Sequence, residues 1–259
     1  MLFLLSPAKT LDYATAAPKP VLKKATAPLY PERAAALIAV LRKKSAAQVS
    51  ALMDLSPALA TLNVQRYGAW QPQATPANSK PAVLAFDGDV YDGLQASTLK
   101  TADLAWAQDH LVILSGLYGA LRPLDMLQPY RLEMGTALKT PQGKDLYAYW
   151  GDTVADYLNA RQAEQARPLV VNLASIEYAR VALRKNLRAR VVHCVFEEVR
   201  AGQPKVISFF AKKARGLMAR YAVQARVRSV GQLQAFNAEG YALDRAASSQ
   251  QRLVFRRPG

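Results

Sequence analysis

Apolar and polar positions alternate in two rhythms along the chain. Residues 2–5, 82–86, 111–114 and 168–173 are short, almost unbroken apolar runs. Runs of this length, bounded by turn residues, predict strands buried on both faces. Residues 190–196 and 205–210 also read as strands. A Glu-rich turn containing Gly202 joins them and predicts an antiparallel hairpin. A last strand is expected in RLVFRR near the end of the chain. Helical spacing fills the intervals. Pro31 stands at the favoured first position of a helix over 31–44. Ser45 with Gln48 has the form of a capping box and starts a second helix, and a third is expected over 58–67. Thr101 caps a helix reaching 108, and further helices are expected from 143, over 178–187 and over 210–221. Residues 14–29 read as a loop or extended arm, and 71–81 as a Pro-rich connector. There are no internal repeats and no interdomain linker. The order of elements predicts an α/β (mixed α+β) fold: a single compact domain over 1–259, with a mixed central sheet surrounded by helices.

The stretch 111–135, LVILSGLYGALRPLDMLQPYRLEMG, is the densest candidate site. A buried strand opens there into a glycine-containing, charged loop, the usual place for a site outside the carboxyl end of a strand. Gly116 and Gly119 permit a tight turn or a close approach to a ligand. Arg122, Asp125, Arg131 and Glu133 supply charge around an apolar frame. The competing reading is a long connection with ordinary turn residues. Asp87, Asp89 and Asp92 resemble a calcium loop, but the later ligating glutamate is missing. Those aspartates are turn formers, with Asp87 or Asp89 as a site carboxylate the alternative. Lys9 follows a Ser-Pro step after the first strand, where a strand-to-helix loop presents an ammonium to an anion; a solvated lysine is the competing reading.

Charge changes the picture most. Thirty-four Lys and Arg against nineteen Asp and Glu leave +15, which implies an acidic partner, nucleic acid above all. The segment FAKKARGLMARY carries Lys212, Lys213, Arg215 and Arg220 with no intervening acid. A helix laid along phosphates explains that pattern better than a solvated face. Gly216, costly inside a helix by about 1 kcal/mol, suits a helix that something approaches closely. The first residues lack the basic lead and apolar length of a secretion signal, and no run reaches the roughly 18 apolar residues of a membrane span. One cysteine, Cys194, fits a reducing cytoplasm and reads as a buried, inert thiol. His110 and His193 are the only histidines, so neither a His-rich zinc site nor a haem site is expected, and no cofactor or metal is assigned.

Residues 45–68 form two short helices around a Pro-containing turn and resemble a helix-hairpin-helix, a unit that grips the DNA backbone. Ser56 and Pro57 replace the usual hairpin glycines, so the residues alone favour a plain αα-corner.

Several stretches together resemble one family. SPAKTLDY, AFDGDVYDGL, LSGLYGALRPLDMLQPYRLEMG, GKDLYAYWGD, VNLASIEY, ISFFAKKARGLMARY and FNAEGYALD are collinearly similar to the YaaA family of bacterial peroxide-stress resistance proteins. The resemblance implies a cytoplasmic protein that protects cells and their DNA from hydrogen peroxide and is linked to limiting free iron. It also implies a single mixed α/β fold of unusual architecture, with a basic DNA-binding cleft and a helix-hairpin-helix element. It supplies no catalytic residues.

Three functions are then weighed. The first is a DNA-binding stress protein, a monomer away from membranes. It would grip phosphates through Lys9, Arg122, Arg131, Lys212, Lys213, Arg215 and Arg220, and follow structure rather than sequence. The second is an enzyme acting on a nucleotide or damaged base, with Lys9, Asp125 and Glu133 as catalytic candidates and Asp89, Ser115, Tyr118 and Glu177 in further loops that could converge with theirs. A lysine beside an acid suits glycosidic-bond or Schiff-base chemistry. Its discriminating observation is Lys9 and Glu133 within hydrogen-bond reach in one pocket. The third is direct iron sequestration, which one Cys, two distant His and no Glu-x-x-His pattern argue against, so any effect on iron is indirect.

Overall fold

The first apolar run becomes the middle of the sheet. In the computed structural model, which describes all 259 residues, Leu2–Leu5 form β1 with every side chain buried. On one side β1 pairs in parallel with β2 (Leu111–Ser115), and on the other with β4 (Leu169–Asn172). β3 (Gly119–Leu121) folds back antiparallel on β2. Beyond β4 lie β5 (Arg190–Arg200) and β8 (Arg252–Pro258), both in parallel register. β7 (Ala242–Leu243) is antiparallel to β8, and β6 (Gln203–Lys205) is antiparallel to β5. The spatial order is β7-β8-β5-β4-β1-β2-β3, with β6 alongside β5. This is a mixed α/β architecture with a mostly parallel centre. Parallel strands covered on both faces read as continuous apolar runs, and β1, β2 and β4 do so.

Helices cover the sheet and share one contiguous apolar core with it. α1 (Pro31–Leu41) starts on its proline. α2 (Ala46–Met53) opens with the capping box expected of Ser45 and Gln48. α3 (Pro57–Ala69) is capped by Ser56 and packs against α2. The turn between them passes through Asp54 at φ 50°. The hydroxyl of Tyr67, near the end of α3, donates to the Arg131 carbonyl at 2.5 Å and ties this helical pair to the 130–135 loop. α5 (Thr101–His110), α6 (Thr153–Arg161) and α7 (Ile176–Ala182) follow in order. α8 (Ser208–Gln224) is the longest helix and lies against α4 (Asp89–Leu94). No helix is long and apolar enough to cross a membrane.

Several expectations need correction: Lys19–Leu22 form a helical turn within the expected 14–29 loop, and Thr101 follows the cap position, held by Lys100, rather than occupying it. Ala82–Ala85 form a helical turn rather than a strand, because the amides of Ala82 and Val83 donate to the carbonyls of Asp125 and Pro123. Only Phe86–Asp87 pair as a strand, with Thr10–Leu11. The strand expected over 205–210 stops at Lys205, since Ser208 already begins α8. The helix expected at 178–187 starts at Ile176, where Ser175 caps it through the Tyr178 amide, and ends at Ala182.

Candidate functional site

The chain steps from β1 to β2 on one side and returns to β4 on the other, so the carboxyl ends of β1 and β4 flank the point where strand order reverses. Ligand crevices of open parallel sheets form at such points. A cleft of about 410 Å³ lies here. Residues 6–10 after β1 and Ser175, Glu177 and Tyr178 after β4 line it, and residues 87–90, Glu133, Lys212 and Arg215 complete the walls.

Local chemistry fixes these groups. Ser6 Oγ accepts from the Ser175 amide at 2.9 Å, locking the two strand ends together. The buried Tyr91 hydroxyl donates to the Ser6 carbonyl at 3.1 Å. Gly116, at the end of β2, has no room for a side chain: a Cβ would stand 2.2 Å from the Leu132 carbonyl oxygen. The close approach expected of Gly116 is thus to the chain's own 132–133 backbone, and it seats Glu133 at the cleft. Arg131 Nη2 holds Glu133 Oε1 at 3.0 Å, while Lys9 Nζ meets Glu133 Oε2 at 2.9 Å. Glu177 Oε1 accepts from the Gly135 amide at 2.8 Å, so the 130–135 loop is pinned to the start of α7.

On the opposite wall, Lys212 stands 3.6 Å from Asp89. Arg215 is half-buried and meets no carboxylate or carbonyl of the protein, and burial lowers its pKa from the ordinary guanidinium value. Desolvation likewise raises that of Tyr178, keeping its hydroxyl protonated. Lining cations (Lys9, Lys212, Arg215) and lining carboxylates (Asp87, Asp89, Glu133, Glu177) are interleaved. The cleft is a mixed-charge pocket inside a strongly basic molecule rather than a uniformly basic groove.

The predicted residues therefore divide. Lys9, Lys212, Arg215 and Glu133 come together, and Arg131 supports them through Glu133. Lys213 turns to Glu239 at 2.6 Å. Arg220 binds the carbonyls of Leu94 and Gln95, each at 3.0 Å, and the Thr98 hydroxyl. Arg122 and Asp125 stand outside the cleft. Asp125 is 0% exposed and receives the Arg122 guanidinium at 2.8 Å and the Thr26 hydroxyl at 2.6 Å. Ser115 is buried against the Tyr130 hydroxyl, and the Tyr118 hydroxyl accepts from Trp70 Nε1. Of the catalytic candidates Lys9, Asp125 and Glu133, the structure joins the first and third. Ser6, Thr10, Ser175 and Tyr178 also line the cleft, and the sequence marks none of them as a site residue. The signals available for them were a serine ending each of two buried strand segments and the helix cap at Ser175.

Comparison with known proteins adds identity to this geometry. The family described as peroxide stress protein YaaA matches residues 1–247. A UPF0246 protein of Leptothrix cholodnii is 66% identical over 257 residues, covering 99% of this chain and 98% of the relative. A UPF0246 protein of Bordetella pertussis is 62% identical over 258 residues, covering 99% of both chains. One from Polaromonas naphthalenivorans is 62% identical over 257 residues, covering 99% of this chain and 98% of the relative. The motifs that build the cleft lie within the matched span, and the chain belongs to the YaaA family of peroxide stress proteins.

Proposed function

We propose that this peroxide-stress protein binds DNA across the cleft, acting in the cytoplasm as a monomer and shielding or processing oxidised DNA. The observation that carries the reading is Arg215, a half-buried guanidinium with no protein acceptor, beside Lys212 on a chain of net charge +15. A desolvated cation without an internal partner is costly unless an external anion meets it. Lys9 extends the contact on the far wall, and Arg131 adds its charge from behind Glu133. The helical pair α2–α3 abuts the 130–135 loop through Tyr67 and adds a second backbone contact of helix-hairpin-helix type. Lys213, Arg220 and Arg122 contribute to the long-range field more than to direct contact, since none of them lines the cleft. Any effect on free iron is indirect.

The test is affinity for single-stranded, duplex and junction DNA across a salt series. Each phosphate contact contributes about 0.9 to the slope of log K against log salt. The Lys212→Ala/Arg215→Ala variant is expected to bind more weakly and with a slope shallower by about 2. Absence of binding, or an unchanged slope, removes the reading.

A second reading, an enzyme acting on a damaged nucleotide, is favoured by one distance. Lys9 Nζ and Glu133 Oε2 are 2.9 Å apart in the same cleft. Acids and amines alternating within a pocket suit proton transfer at a sugar or base better than they suit a phosphate track.

A further inference from the structure

We infer that the cleft takes an abasic nucleotide of DNA, with Lys9 condensing on the deoxyribose aldehyde while Ile176 occupies the place of the missing base. The inference rests on the DNA-binding reading and names the lesion that the second reading left open.

Three observations carry it. Lys9 has a side chain 64% exposed, so its nitrogen is reachable from the cleft mouth, yet it is held at 2.9 Å by a carboxylate. That carboxylate is itself fixed, because Arg131 takes the other oxygen of Glu133 at 3.0 Å. An amine beside a positioned carboxylate is the pair that carbonyl condensation needs: a nucleophile and a group to move its proton. In DNA, the carbonyl that offers itself is the ring-opened sugar left when a base is lost, a common product of oxidation.

The second observation is Ile176. It begins α7 between two cleft residues, Ser175 and Glu177, and is 90% exposed. Ile176 does not itself line the cleft but stands beside it, and a large aliphatic side chain this exposed finds almost no packing in its own chain. Proteins that open a base stack insert such apolar wedges into it. An abasic site already contains the gap, so the wedge enters there with the least unstacking. The third is Arg215, placed to receive a phosphate flanking the displaced sugar.

The chemistry balances without a co-reactant. The Lys9 ammonium passes one proton to Glu133, and its lone pair attacks C1′ of the aldehyde, giving a carbinolamine. The oxygen takes a proton from Glu133 and a second from nitrogen and leaves as water, so an iminium replaces the ammonium with no net change of charge. The Glu133 carboxylate then removes a proton from C2′, the C3′–O bond breaks, and the 3′ phosphate departs with its electron pair and takes that proton from Glu133, restoring the carboxylate. Water hydrolyses the remaining imine, releasing an unsaturated aldehyde and regenerating the lysine.

The experiment uses the full chain with a duplex carrying one abasic site, the matching intact duplex and sodium borohydride. Wild type is expected to form a borohydride-dependent covalent adduct with abasic DNA alone. Lys9→Arg, which keeps the charge, is expected to lower the adduct at least tenfold at protein concentrations that retard the abasic duplex as fully as wild type does. Glu133→Gln should slow adduct formation and strand cleavage, and Ile176→Ala should weaken the preference for abasic over intact duplex. An adduct unchanged in Lys9→Arg, or no adduct from wild type bound to abasic DNA, overturns the inference and leaves the DNA-binding reading standing. Failure to bind either duplex overturns both.

Discussion

Gly216 of α8 lies directly on the Val90 carbonyl of α4: a Cβ added there would stand 1.8 Å from the oxygen. The contact is reciprocal, since a Cβ on Gly93 would stand 2.1 Å from the Lys213 carbonyl oxygen. The close neighbour that the sequence implied for Gly216 is therefore a second helix and not a phosphate. Asp89 belongs to α4, while Lys212 and Arg215 belong to α8, so this crossing sets the spacing of one cleft wall. Alanine would gain about 1 kcal/mol in helix propensity. Overpacking against backbone, about 1–3 kcal/mol, outweighs it, and Gly216→Ala is expected to show a net loss of up to about 2 kcal/mol. Chemical denaturation measures the loss, and an unchanged midpoint would show that the helices separate freely.

The buried Lys80 ammonium donates to the Asp12 carboxylate at 3.0 Å and to its carbonyl at 2.8 Å. The Thr15 amide, and after it Lys80, draws the Asp12 pKa down to about 2. A carboxyl held below its unfolded value stabilises the fold above about pH 4 and loses that contribution as the pH falls towards the folded value. Asp12→Asn should cost about 1–2 kcal/mol at neutral pH, less than a wholly buried pair because Asp12 is partly in solvent. The gap between wild type and variant should close between about pH 4 and 2 in paired denaturation curves.

Asp125 tests whether the most conspicuous charges of the 111–135 stretch serve the fold. Removing its carboxylate strands the Arg122 guanidinium and the Thr26 hydroxyl. Asp125→Ala is expected to lose about 3–5 kcal/mol. DNA affinity, corrected for the folded fraction, should stay at the wild-type value. A stable variant with impaired binding would return Arg122 and Asp125 to the functional site.

Cys194 sits inside β5 and is buried, which pushes its thiol up to about 12. Thiolate is the reactive form, so the native protein should resist both alkylation and peroxide at neutral pH. Mass spectrometry should find no label on the folded chain and one label after denaturation. Labelling at a free-thiol rate in the native state would make this cysteine a candidate sensor.

The strands were legible where burial made them unbroken: the runs at 2–5 and 111–114 lie within β1 and β2. The Ser45–Gln48 capping box was equally plain, because its chemistry is local. The run at 82–86 misled because four apolar residues fit a helical turn as well as a strand, and only loop carbonyls from Pro123 and Asp125 decide between them. The basic helix was found, but the uses of its charges were not. Lys213, Arg215 and Arg220 look alike in sequence, yet one meets Glu239, one is unpartnered and one binds carbonyls of a distant turn. The pairing of Lys9 with Glu133 depends on β1 lying beside β2 and on Gly116 admitting the 132–133 backbone, neither of which a local pattern encodes.

The sheet order has a consequence for assembly. β1 enters the chain first, but one of its two neighbours, β4, comes from far along the sequence. Until β4 arrives, β1 exposes an apolar edge capable of pairing with any extended strand, a hazard of slow, non-local parallel sheets. The cleft is completed later still, when α8 docks on α4. An unfinished chain thus has Lys9 in place without the wall that carries Lys212 and Arg215, and ligand binding becomes a report on completed folding.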